Sequence, residues 1–251
     1  MKKHLSTVLG ATALGLVTMA ATPASAQIEG LSANAAVTTN YIFRGISQSG
    51  ANAAVQAGLD YAIGDTGLAV GTWASSIDFG SVDGSDAAPL EWDIYGSYTL
   101  AITDAFGLVV GGIAYVYPSP ATGAQFNWFE VYGGASYNFG VASVSGRVYY
   151  SPDYVNLSTS QFYYTGGVSV PVIDWLALNA NIGFTDLDHA VFPVIEDYMD
   201  WNISAVATFG NFSLTVGYTD TDLEDDYKIE TGPFQTTGQF YGMIGFRLPA
   251  P

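Results

Sequence analysis

Beyond residue 26 the chain carries only four basic residues, Arg44, Arg147, Lys228 and Arg247, against all 23 of its aspartates and glutamates. Eight charged side chains fall on the polar parity of runs in which apolar and polar residues alternate: Arg44, Asp60, Glu91, Asp93, Glu130, Arg147, Asp200 and Arg247. Charges facing a shared lumen can satisfy one another across it, or they can ring a constriction and sort solutes by charge. Both readings stand at this level. Arg44, Glu91, Asp93, Glu130, Arg147 and Asp200 are expected at comparable depth, and acids outnumber arginines among them, which predicts a mild preference for cations. A two-residue turn at Phe139-Gly140 would set Tyr132 opposite Arg147, with Glu130 diagonal to it.

Other chemistries find less support. Glu91/Asp93 and Glu196/Asp197 could form acid–base pairs, but neighbouring acids on one face are more often simply solvated. His189 is the one histidine beyond residue 26 and falls in a predicted loop, away from any strand that could hold a serine nucleophile. No nucleophile elbow, phosphate loop or zinc spacing occurs. The absence of cysteine excludes thiol catalysis, cysteine-ligated zinc and iron–sulfur sites. The acidic run Asp220–Asp226 lacks the glycine and spacing of a calcium loop and reads as a solvated rim. The expectation is a protein that is not an enzyme and needs no metal or cofactor. Its negative charge excludes nucleic acid as a partner.

The elements that must position these charges are strands. Twelve runs are expected, at about 33–47, 53–63, 67–77, 90–101, 106–117, 126–138, 141–151, 161–170, 175–185, 198–209, 211–220 and 239–248. In the fourth, Leu90, Trp92, Ile94, Tyr98 and Leu100 share one face, with Glu91, Asp93, Ser97 and Thr99 on the other. In the eleventh, Phe212, Leu214, Val216 and Tyr218 oppose Asn211, Ser213, Thr215 and Thr219. The runs 67–77 and 106–117 are apolar on both faces, so their orientation is weakly determined.

Connections alternate longer and tight, beginning with a moderate one near Ser47–Asn52, and most acids outside the strands crowd the long ones. That alternation belongs to an up-and-down barrel with both termini on the periplasmic side and its long links outside the cell. Aromatics collect at strand ends. Phe43, Trp92, Phe129, Tyr150, Phe162, Phe184, Trp201 and Phe240 are expected toward the outer interface of a bilayer. Tyr61, Phe139, Phe209, Phe212 and Phe246 are expected toward the inner one. Charged residues make up only 12% of the chain, too few for an ordinary soluble surface. No apolar run approaches the roughly 20 residues of a membrane-spanning helix.

Residues 1–26 read as a secretory signal peptide: Lys2 and Lys3, an apolar run from Leu5 to Ala20, then Ala24-Ser25-Ala26 as a cleavage site. Residues 27–251 would form the barrel.

The stretch Asn40-Tyr41-Ile42-Phe43-Arg44-Gly45-Ile46-Ser47-Gln48-Ser49 resembles the opening motif of a proteobacterial family, the TorF family of porin-type proteins, also described as the Gcw_chp family of uncharacterised proteins. The resemblance continues through Val55–Tyr61, Gly71–Phe79 and Glu91–Tyr98. It implies an outer-membrane barrel and gives no substrate. The sequence therefore predicts an all-β transmembrane antiparallel barrel in a Gram-negative outer membrane. Its expected partners are membrane lipid and the small hydrophilic solutes or ions that diffuse through it, with monomer and homo-oligomer both open. The rival expectations are a non-conducting, side-chain-filled barrel that interacts through its acidic loops, and a secreted soluble β-protein.

Overall fold

The computed structural model describes residues 29–82, 85–118, 126–191 and 195–248; the expected signal peptide, 1–26, lies outside them. Twelve strands close into one antiparallel barrel: β1 (Leu31–Thr38), β2 (Ala54–Ala62), β3 (Leu68–Ser76), β4 (Leu90–Ala101), β5 (Phe106–Val116), β6 (Trp128–Asn138), β7 (Ser143–Ser151), β8 (Gln161–Ile173), β9 (Leu176–Leu187), β10 (Tyr198–Phe209), β11 (Phe212–Thr221) and β12 (Gln239–Leu248). Each strand pairs with its sequence neighbours, and β1 pairs with β12 to close the ring. Closure leaves no free edge, so every strand finds its backbone partners inside the wall.

Burial is inverted relative to a soluble protein. Val55, Ile94, Ile182, Ile203 and Val216 are exposed on the outside, whereas Gln56, Glu91, Asp93, Thr185, Thr215 and Thr219 are buried inside. The large outward side chains remain well uncovered, with Ile94 at 47% and Ile203 at 59%. A continuous apolar girdle of this kind around a closed barrel is the surface that a bilayer covers. The two strands of undecided orientation resolve the same way. Trp73 of β3 and Ile113 and Tyr115 of β5 point inward, while Val70, Leu108 and Val110 point outward.

Links 63–67, 102–105, 139–142, 174–175 and 210–211 are short and lie at one end of the barrel together with Leu31 and Leu248. The other end carries the long links 39–53, 77–89, 117–127, 152–160, 188–197 and 222–238. Pro171 falls where the β8–β9 register shifts, which suits a residue with no N–H to give to the ladder.

Two expectations are corrected. The first strand stops at Thr38 rather than near residue 47. Arg44 and Gly45 both take positive φ, 49° and 79°, so the extended chain reverses there. It forms a two-residue hairpin, Ile42–Phe43 against Ile46–Ser47, inside the barrel mouth. The second correction concerns the turn after β6. It spans 139–142, with Phe139 N–H donating to Ala142 O and Asn138 paired with Ser143. Asn138 Oδ1 accepts from Gly140 N–H, and Gly140 takes φ 86°. The larger turn slides the register by two residues, so Arg147 faces Gly134 and Tyr132 faces Tyr149. A two-residue slip preserves the face on which each side chain lies.

Candidate functional site: a charged layer closed by an inserted loop

The link 39–53 folds back into the long-link end of the barrel and buries Arg44 among side chains of β6, β8 and β10. Arg44 donates from Nη2 to both Glu130 oxygens (2.6 and 2.8 Å) and from Nη1 to Gln161 Oε1 (2.6 Å). Glu130 comes from β6 and Gln161 from β8, so a loop residue bridges two parts of the wall. The side chains of Arg44 and Glu130 are 3% and 0% exposed. The guanidinium also lies 4.1 Å from the ring centroid of Tyr163 and 4.6 Å from that of Phe43, a cation–π arrangement. Tyr115 adds a hydroxyl to Glu130 (3.0 Å), and Tyr198 donates to the Arg44 carbonyl (3.0 Å). Gly45 packs so tightly that any side chain there would meet Thr221 and Asp200.

Two more carboxylates in this layer are held by tyrosines. Glu91 accepts from Tyr41 (2.6 Å) in the inserted loop and from Tyr117 (2.8 Å). Asp200 accepts from Tyr163 (3.0 Å). Asp93, one turn of the pleat along from Glu91, is buried on the same face. An apolar packing layer fills in around them. Tyr115 and Trp128 stack at 4.0 Å, Phe43 meets both edge-on, and Tyr154 meets Trp128 at 5.0 Å. Above it Phe79 contacts Tyr117, Phe126 and Phe234, tying three long links together.

The structure thus brings together Arg44, Glu91, Asp93, Glu130 and Asp200. The remaining three expected site residues stand elsewhere on the lumen face. Arg147 lies 5.7 Å from the Tyr132 ring centroid and donates to Tyr149 (3.3 Å). Asp60 accepts from Tyr95 (2.7 Å). Arg247 sits near the end of β12, opposite Asn34. Phe43, expected on the lipid side, is buried in the lumen instead, because the inserted loop carries it there. The other candidate chemistries become loop staples. Glu196 accepts from Glu224 N–H, Asp197 from Leu187 N–H and Asp222 from Met199 N–H. The ring of His189 lies 3.4 Å from Asp188 in a long link.

Below this layer the lumen wall shows a repeated device. Tyr95 lies flat over Gly71, Tyr132 over Gly111 and Tyr241 over Gly217, each pair directly opposed across neighbouring strands. A methyl group on any of these glycines would collide with the ring. Glycine here lets a large side chain hug the wall instead of crossing the lumen. Arg147 uses Gly134 in the same way. Parity alone would have put these tyrosines inside, but their pairing with glycine depends on register.

A family model described as a bacterial protein of unknown function, Gcw_chp, matches residues 20–241. Among solved structures the chain is similar to KdgM porin, with 11% identity and a TM-score of 0.56, covering 87% of this chain and 98% of that one. It is also similar to KdgM porin in complex with disordered oligogalacturonate, with 9% identity, a TM-score of 0.55 and the same coverage. NanC porin is 10% identical with a TM-score of 0.56, covering 87% of this chain and all of that one. At such identities the likeness is one of fold. No curated protein matches in sequence.

Proposed function

This chain belongs to the Gcw_chp family of bacterial proteins, and we propose that it is a porin-type channel of the Gram-negative outer membrane, passing small hydrophilic solutes or ions by diffusion. The observation that carries the reading is the inverted barrel, with exposed aliphatic side chains outside and carboxylates, amides and hydroxyls inside. Export by a cleaved signal at 1–26 and the finer family name, TorF, belong to the same proposal. The constriction is the layer around Arg44. Its acids, Glu91, Asp93, Glu130 and Asp200, outnumber its one arginine, and Asp60 adds to them lower down. That balance favours neutral or cationic solutes over polyanions such as the oligogalacturonate of the KdgM complex. No catalytic step is part of this reading.

One observation favours a second reading. The buried Arg44–Glu130 pair and the aromatic packing around it fill the lumen at one level, as a non-conducting barrel with acidic surface loops would require. Planar-bilayer recording of the refolded protein separates the two. Discrete conductance steps with a reversal potential displaced toward cations are expected. A pure, folded sample that never conducts removes the channel reading.

A further inference from the structure

Asp93 differs from every other acid in the outer layer. Glu130 holds Arg44, Glu91 accepts from two tyrosines and Asp200 accepts from one. Asp93 is 6% exposed, yet its Oδ1 has no hydrogen-bond partner among the described residues. Glu91 lies two residues away on the same inner face of β4, and Glu130 is buried in the same layer. The layer's guanidinium gives Nη1 to Gln161 and Nη2 to Glu130, and its Nε, without a partner among the described residues, makes no hydrogen bond to Asp93. A second buried acceptor is also without a donor: Oε1 of Gln56. The amide nitrogen of Gln56 is given to Ser75 (3.4 Å), and Ser75 stands opposite Glu91 on the next strand. Gln56, Ser75 and Glu91 therefore form one row across β2, β3 and β4, with Asp93 on the same inner face.

Burying a carboxylate beside two others, with no donor, is strongly unfavourable unless something positive completes the site. Free carboxylate and amide oxygens are the ligands that hard cations take. We propose that Asp93, with Glu91 and the Gln56 carbonyl, binds a small hard cation of the sodium, potassium, magnesium or calcium class inside the barrel. The site differs from the acids of the long links, several of which accept backbone N–H groups and act as staples. It does not require that solutes cross the barrel, so it can fail or hold independently of the channel reading.

The test uses the folded full barrel in detergent, stripped with chelator and exchanged into choline chloride. Sodium, potassium, magnesium and calcium chlorides are then added singly at constant ionic strength. The readouts are the temperature at which the compact gel band is lost and direct calorimetric binding. At least one of the four ions is expected to raise that temperature saturably in the native chain. Asp93→Asn, which keeps the shape and removes the charge, is expected to lose the ion response. An equal response in Asp93→Asn, or no response beyond choline in the native chain, overturns the site. If Asp93→Asn does not fold, infrared spectra of the native chain decide. A protonated-carboxyl band at neutral pH that no cation diminishes means that a proton occupies the site instead, and its loss on adding the cation supports the proposal.

Discussion

At the scale of single residues, Arg44 is the side chain on which the site depends most. Removing one partner of a buried ion pair leaves the other charge stranded, at a cost of about 3–5 kcal/mol. Arg44→Ala should therefore destabilise the barrel by that order in urea titration. Arg44→Lys should recover only part of it, because a single ammonium cannot reproduce the planar fork that gives Nη2 to Glu130 and Nη1 to Gln161. Replacing Arg44 and Glu130 together by Gln should cost less than Arg44→Ala alone. The glycines beneath the rings offer a second check. Gly217→Ala should push Tyr241 off the wall, costing about 1–3 kcal/mol of overpacking and narrowing the lumen. Gly96 faces outward with nothing closer than 3.7 Å to an added Cβ, so Gly96→Ala should leave stability nearly unchanged in the same titration.

At the scale of elements, the inserted link 39–53 is held by many separate contacts. Asn40 donates to Gln239, Ser47 N–H to Gln235 O and Asp78 N–H to Gln48 O, in addition to the Arg44 and Tyr41 bonds. Its tip has one weak tolerance, Gly45, where positive φ and close packing against Thr221 and Asp200 coincide. Gly45→Val should expel the tip while leaving the strands paired. Limited proteolysis should then cut within 39–53 in the variant and not in the native chain, with the circular-dichroism signal of the sheet unchanged. If the channel reading is right, the same variant should conduct more, since the constriction leaves with the loop.

At the scale of the whole molecule, the outward apolar girdle makes a prediction about the medium. Ile203 lies in the middle of β10 and points outward. Arginine at a bilayer midplane on the lipid face of a barrel costs about 2–4 kcal/mol. Ile203→Arg should lower folding stability in lipid vesicles by that amount, and a barrel indifferent to this change would not be spanning the bilayer at that depth.

The sequence by itself determined the wall. Period-two alternation in runs such as Leu90–Leu100 and Phe212–Thr219 settles strand identity and face, because successive side chains of a strand must point opposite ways. Alternating link lengths settle the end at which each strand turns. Both signals are local, so most strand positions and the inward direction of Glu91, Asp93, Glu130, Arg147 and Asp200 were legible. Gly45 beside Arg44 was a readable sign that the first strand does not run through 47, though it does not say where the chain then goes. What only the tertiary structure decided is which lumen groups meet. Arg44 reaches Glu130 and Gln161 across sequence separations of 86 and 117 residues. A two-residue register slip at 139–142 moves Arg147 from Tyr132 to Gly134 without changing its parity. Pattern fixes the side of the wall on which a residue lies. Contacts through the lumen depend on register, closure and the path of a loop, which are set by the whole ring at once.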